Sequence, residues 1–205
     1  MLVQIGQKPL ADFTQPLEML KDCHRRIEHF LEVLQKAVEC FGEGELPEEG
    51  RRALVASLDY FAHAAPRHTA DEEASLFPRL RQCDSSEARA VLIEVERLEH
   101  DHRTCDEAHA TVDRSVRRWI ASGQIDTSQR AVLRSNLDKL TAIYSAHIHL
   151  EERHVFEVAS RALGANEIRQ IGEEMKQRRS MGHTSPIGHS QRSMPAGKSQ
   201  AMPRV

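Results

Sequence analysis

Two stretches of this chain repeat one pattern of chemistry-bearing residues. HTADEEASLFPRL (His68 to Leu80) and HIHLEERHVFEVA (His147 to Ala159) both read H-x-x-x-E-E-x-x-x-F. The match pairs His68 with His147, Glu72 with Glu151, Glu73 with Glu152 and Phe77 with Phe156. A second pair of segments, LKDCHRRIE (Leu20 to Glu28) and LEHDHRTCD (Leu98 to Asp106), sets His24 against His102 and Glu28 against Asp106. The separation of His24 from His68 nearly equals that of His102 from His147. The chain therefore reads as two helical hairpins related by a pseudo-twofold.

The hydrophobic pattern supports helices at these places. Leu17, Leu20, Ile27, Leu31 and Leu34 recur at helical spacing, so helix A is expected from about Thr14 to Phe41, with Thr14 as N-cap and Pro16 in the first turn. Helix B is expected from Glu48 to Leu80, kinked near Ala62 to Pro66 because proline removes a backbone hydrogen bond. Helix C is expected from Glu87 to about Ala121, and helix D from Ser128 to about Leu163, with Gly164 as a stop. The loops between them are short. The fold class is thus all-α: an up-down-up-down antiparallel four-helix bundle over residues 14–163. It is preceded by an N-terminal extended segment (1–13) and followed by a short C-terminal helix (164–179). Residues 180–205 are rich in Ser, Gly and Pro without periodicity and read as a disordered tail.

Residues four apart on a helix lie ~40° apart around its axis and one turn apart along it. His68 and Glu72 project from one face, as do His147 and Glu151. If the hairpins pack face to face, four imidazoles and two carboxylates meet in mid-bundle. That donor set suits iron, manganese or zinc. Two carboxylates able to bridge, with histidines outside them, suit a dinuclear centre. A single His-x-x-x-Glu is usually a surface pair; two copies in matching register, with His24 and His102 in matching places, point to metal.

The paired H-x-x-x-E-E-x-x-x-F segments and paired single histidines resemble the haemerythrin-like, or HHE cation-binding, domain, over about Thr14 to Leu163. The resemblance implies an up-down four-helix bundle with two iron ions per chain, bridged by two carboxylates. The implied ligands are His24, His68, Glu72, His102, His147 and Glu151. Oxygen carriers of that family have a second helix C histidine four residues from the first. Here those positions are Leu98 and Asp106. Asp106 or Glu28 could fill the gap, or both could support a histidine or lie in solvent. The departure leaves room for sensing, storage or redox chemistry beside O2 carriage.

The remaining features narrow the function classes. With Lys+Arg 28 against Asp+Glu 31, the net charge of −3 gives no basic field for nucleic acid. No apolar run is long enough for a bilayer, and no secretory signal is read at the N-terminus. The four cysteines lack C-x-x-C spacing and fit reduced thiols in the cytoplasm. Cys23 and Cys105 read as small buried hydrophobes. His29, His63, His100, His109, His149 and His154 fall outside the repeat register and read as surface histidines. Tyr144, one turn before His147, is either a core tyrosine or a hydroxyl donor to bound oxygen. The leading function is a non-haem iron protein that binds or senses O2 or a related small molecule, a binding protein rather than an enzyme. The alternatives are iron storage or delivery, and a di-iron oxidase or peroxide-consuming enzyme; the protein partner is unknown.

Overall fold

The computed structural model of the chain describes residues 11–42 and 44–181. The expected tail from residue 182 onward and residues 1–10 of the expected N-terminal segment lie outside the described residues. Among the described residues every regular element is helical. In chain order these are α1 (Pro16–Phe41), α2 (Glu48–His63), α3 (Ala65–Asp71), a π-helical turn π1 (Glu72–Leu76), α4 (Phe77–Gln82), α5 (Ser86–Ala90), α6 (Leu92–Ser122), α7 (Thr127–Leu150), a second π-helical turn π2 (Glu151–Val155), α8 (Phe156–Ala162) and α9 (Ala165–Met181).

Four rods make the bundle. They are α1, the run from α2 to α4, α6, and the run from α7 to α8. The α1 rod packs on α2 and α7, and α6 packs on α7 and α2, which closes the ring of an up-down-up-down bundle. Local signals set the ends. Pro16 opens α1 in its first turn, but the residue at the N-cap is Gln15, which makes no side-chain cap bond. Thr14 instead gives its N–H and hydroxyl to the Asp12 carboxylate. Gly123 ends α6 at φ +71°, a left-handed conformation that favours glycine. Asp126 and Gln129 form a capping box that starts α7. Helix C is divided: Ser85 caps the short α5, and Val91 separates it from α6. The second rod is interrupted at Ala64, between α2 and α3. Pro66 lacks the N–H that would bond the Ala62 carbonyl, and its ring crowds that carbonyl. Ser145 occupies the equivalent place in α7, which runs unbroken.

Apolar side chains gather into two clusters. One holds Ile27, Leu31, Leu34, Val112, Val116, Trp119 and Leu137; the other holds Leu20, Leu76, Phe77, Leu98, Val155 and Phe156. Between them lies a polar layer, described below. The helix α9 packs on α1, α3 and π1, with Ile171 and Met175 fully buried. Gly172 permits this approach, because a Cβ there would stand 1.9 Å from the Phe13 carbonyl oxygen. Gly172→Ala should push α9 or residues 11–15 outward and lower stability by ~1–3 kcal/mol, the usual effect of overpacking. Thermal melting checks this; an unchanged melt would mean that the segment at Phe13 contributes nothing to the fold.

Candidate metal centre

The polar layer contains His24 from α1, His68 from α3, Glu72 from π1, His102 from α6, His147 from α7 and Glu151 from π2. All six are buried, and both glutamates have no exposed surface. Donor atoms of His24, His68, Glu72 and Glu151 lie within 4.8 Å of one another, as do those of Glu72, His102 and His147. Glu72 belongs to both groups. The Nε2 atoms point at the carboxylates: His68 to Glu72 at 3.0 Å, His24 to Glu151 at 3.1 Å, His102 to Glu72 at 3.3 Å and His147 to Glu151 at 3.4 Å.

Both central glutamates begin π-helical turns. The N–H of Phe77 bonds the Glu72 carbonyl, and the N–H of Phe156 bonds the Glu151 carbonyl, each five residues apart. A π turn widens the helix locally, and such turns are frequent at functional sites. Here Phe77 stacks near His102, with ring centroids 6.4 Å apart, and Phe156 near His24 at 5.6 Å. The Phe of the repeated motif thus covers an imidazole from the opposite hairpin. Sequence reasoning read the Phe as part of the repeat without assigning it this contact. Glu73 and Glu152, which the sequence leaves either exposed or supporting a ligand, cross the pseudo-twofold: Glu73 lies 2.8 Å from His102 Nδ1, and Glu152 lies 2.9 Å from His24 Nδ1. Each fixes the outer nitrogen of one histidine and leaves Nε2 facing inward.

The electrostatics follow from burial and proximity. Burial alone would lower the pKa of His24 and His102, but adjacent carboxylates outweigh it. Glu151, Glu152 and Glu72 raise His24 well above the ordinary range, and Glu72 and Glu73 raise His102 to about 9. Burial takes His68 down to about 4, so it is neutral at physiological pH. Burial would raise Glu72, but His68, His102 and His24 hold it well below the usual carboxylate range; Glu151 is likewise lowered, against burial and Glu72, by His147 and His24. Two imidazolium charges thus face two carboxylates in the metal-free layer.

The donor set fits a bound cation. Nε2 of His24 and His102, and both oxygens of Glu72 and of Glu151, are enclosed without an aligned hydrogen-bond partner. Buried polar atoms left in this way are costly unless something binds them. A cation must displace the protons of His24 and His102, since only neutral imidazole ligates. Loading at pH 7 should therefore release about two protons, and cation affinity should climb with pH until His102 is neutral, at about 9. Calorimetry in buffers of different ionisation enthalpy checks this; affinity that stays flat from pH 6.5 to 9 would contradict it.

Other candidates from the sequence lie elsewhere. Glu28 and Asp106 are exposed and belong to neither donor group. Asp106 lines a groove of about 500 Å³ with Pro66, Phe61 and His109. His29, His63, His100, His149 and His154 are exposed. His109 is not a surface histidine: it is half-buried, lies 3.0 Å from the Tyr144 hydroxyl through Nε2, and is pushed by burial down to about 4. The Tyr144 hydroxyl is thus engaged with α6. Cys23 and Cys105 are buried, with their thiols pushed up by burial, Cys105 to about 12.

Sequence reasoning also missed a charged anchor beside the site. Asp71, next to Glu72 in the chain, has no exposed surface and takes Arg178 Nε and an Arg179 guanidinium nitrogen at 2.7 Å each. Ser75 of π1 bonds Glu174 and Arg178, and Arg79 pairs with Glu174 at 2.7 Å. The helix α9 thereby holds the turn that carries Glu72.

Comparison with known proteins agrees with this geometry. The sequence profile of the family described as the Hemerythrin HHE cation binding domain matches residues 15–159. A protein of Haemophilus influenzae (strain ATCC 51907 / DSM 11121 / KW20 / Rd), described only as an uncharacterized protein, is 25% identical over 169 residues, which span 82% of this chain and 92% of that protein. Among the described residues no helix is long and apolar enough to cross a membrane.

Proposed function

Since the chain belongs to the haemerythrin HHE cation-binding family, we propose that it is a non-haem di-iron protein that binds or senses O2 or a related small molecule. The observation that carries this reading is Glu72, whose two oxygens face histidines of opposite hairpins: His68 Nε2 is 3.0 Å from one and His102 Nε2 is 3.3 Å from the other. A carboxylate so placed suits a bridge between two ions. The residues that would hold the iron are those implied by the resemblance, namely His24, His68, Glu72, His102, His147 and Glu151. Iron there would supply electrons to a bound diatomic molecule. An apolar cluster lies beside the layer: Leu20, Leu76, Leu98 and Phe77 are fully buried, and Phe156 nearly so. The Tyr144 hydroxyl, in the other apolar cluster, is engaged with His109. Four free thiols, at Cys23, Cys40, Cys83 and Cys105, suit a reducing compartment such as the cytoplasm.

Anaerobic loading with ferrous iron should give two irons per chain, and air should then produce the spectrum of an oxo-bridged ferric pair. One iron at saturation would overturn the dinuclear reading, and a full complement of manganese or zinc that excludes iron would overturn the choice of metal. Negative charge close to a metal stabilises its higher oxidation state. That charge comes from Glu73 and Glu152, which contact the imidazoles of His102 and His24, whereas Asp106 lines the groove outside the layer. Stopped-flow mixing with O2 should show rapid autoxidation, which Glu73→Gln slows more than Asp106→Ala. A long-lived adduct that reverses when O2 is removed would return the protein to carriage; repeated O2 consumption with excess reductant would make it an oxidase.

A further inference from the structure

Each imidazole of the polar layer has a second ring nitrogen, and what that nitrogen meets differs among the four. Nδ1 of His24 lies 2.9 Å from Glu152, and Nδ1 of His102 lies 2.8 Å from Glu73. Nδ1 of His147 faces the Asp101 carboxylate at 3.7 Å. Nδ1 of His68 is enclosed and has no hydrogen-bond partner among the described residues. The pseudo-twofold that sets His24 against His102 also sets Cys23 against Asp101, since each stands immediately before its histidine. Cys23 is buried, and Asp71, the carboxylate nearest to His68 along α3, is committed to Arg178 and Arg179.

We propose that Asp101 is a positioning residue for His147, and that the His68 side of the centre lacks this support because Cys23 stands in the equivalent place. The inference rests on the reading of the layer as a cation centre. A neutral imidazole that ligates through Nε2 carries its proton on Nδ1, and an acceptor for that proton fixes the tautomer, holds the ring and raises the basicity of the ligating nitrogen. At 3.7 Å Asp101 stands at ion-pair distance, longer than a formed hydrogen bond. With His147 ligating through Nε2, its Nδ1–H would be the proton that Asp101 is placed to accept. On the other side, ligation by His68 leaves a buried Nδ1–H with no acceptor, which weakens that ligand. The two halves of the centre match in the atoms that face the metals and differ in the atoms behind them.

The test titrates full-length protein with Co2+ as an optical probe, without oxygen. His68→Ala leaves the His102–His147 half intact, and His147→Ala leaves the His24–His68 half intact. In the His68→Ala background, Asp101→Ala should raise the Co2+ Kd by ~10–100-fold. In the His147→Ala background the same substitution should change it by no more than about twofold, as for independent sites. Asp101→Asn, which keeps an acceptor without the charge, should recover part of the loss. Cys23→Asp in the His147→Ala background should tighten binding, a gain that a merely structural role would not produce. Arg26, 3.7 Å from the Cys23 sulfur, would offset the new charge. If Cys23→Asp does not fold, the Asp101 arm decides alone. Equal effects of Asp101→Ala in both backgrounds, or none in either with an unchanged metal-free melt, would overturn the proposal. A parent chain that binds no Co2+ would overturn the cation reading itself.

Discussion

In the proposed di-iron centre, Glu72→Gln should reduce iron loading from two ions per chain to one at most, and should weaken the remaining ion by well over the ~10–100-fold that follows loss of a supporting residue. Glu72 is the one residue common to both groups of donor atoms, and it faces His24, His68 and His102. Glutamine keeps the volume but removes the charge and one acceptor oxygen. Glu151→Gln should be milder, because Glu151 belongs to one of the two groups. The metal-free protein should suffer as well. His102 is held at about 9 by Glu72 and Glu73 against burial, so removing Glu72 strands a buried imidazolium or forces it to lose its proton. Loss of one partner from a buried pair typically costs ~3–5 kcal/mol. Metal content by elemental analysis and melting of the metal-free variant measure the two effects. A Glu72→Gln protein that still holds two irons would remove the bridging role.

The double substitution Arg178→Ala with Arg179→Ala should destabilise the fold by roughly 3–5 kcal/mol, since it leaves the fully buried Asp71 without a counter-charge. For a domain of this size that corresponds to a fall in melting temperature on the order of 10 °C. Both guanidiniums are about three-quarters buried, at 20% and 24% exposure, so water screens these pairs far less than surface ones. Adding Asp71→Asn to the double variant should recover much of the loss, because it removes the stranded charge. Differential scanning calorimetry of the three proteins checks the order. If the double variant melts like the parent, α9 does not anchor π1. The same network predicts that loosening α9 weakens cation binding, because Asp71 and Ser75 lie on either side of Glu72 and Glu73.

Much of the centre was legible in the chain because helical geometry is local. A His and a Glu four residues apart must share a face, so one motif reports one pair of inward donors, and its repetition reports a second. His24 and His102 could be found from the repeat alone. The bundle was legible for the same reason, since apolar residues at helical spacing and short loops leave few arrangements. The break near Pro66 followed from a missing N–H. The π turns did not follow, although E-E-x-x-x-F appears in both copies. A π turn replaces one pattern of backbone bonds by another of similar local energy, and only the packing of Phe77 and Phe156 against imidazoles of the other hairpin selects it.

Charge was the part that sequence order could not place. Asp106 and Glu28 sit one turn from site histidines at the same four-residue spacing that brings Glu72 to His68, yet both are exposed, because the packing of α1 and α6 against their neighbours turns these two positions outward. Asp71 looks like an ordinary acidic residue beside Glu72, but it is buried under arginines more than a hundred residues further along the chain. By itself the sequence determined which faces of the helices carry imidazole and carboxylate, because those faces depend on spacing within a single helix. Only the tertiary structure decided which carboxylate stands behind which histidine, that Asp101 stands behind His147 while nothing among the described residues bonds His68 Nδ1, and that α9 holds the turn carrying Glu72. Those choices depend on how separate helices are rotated and set against one another, which the packing of the two apolar clusters fixes and no local spacing encodes.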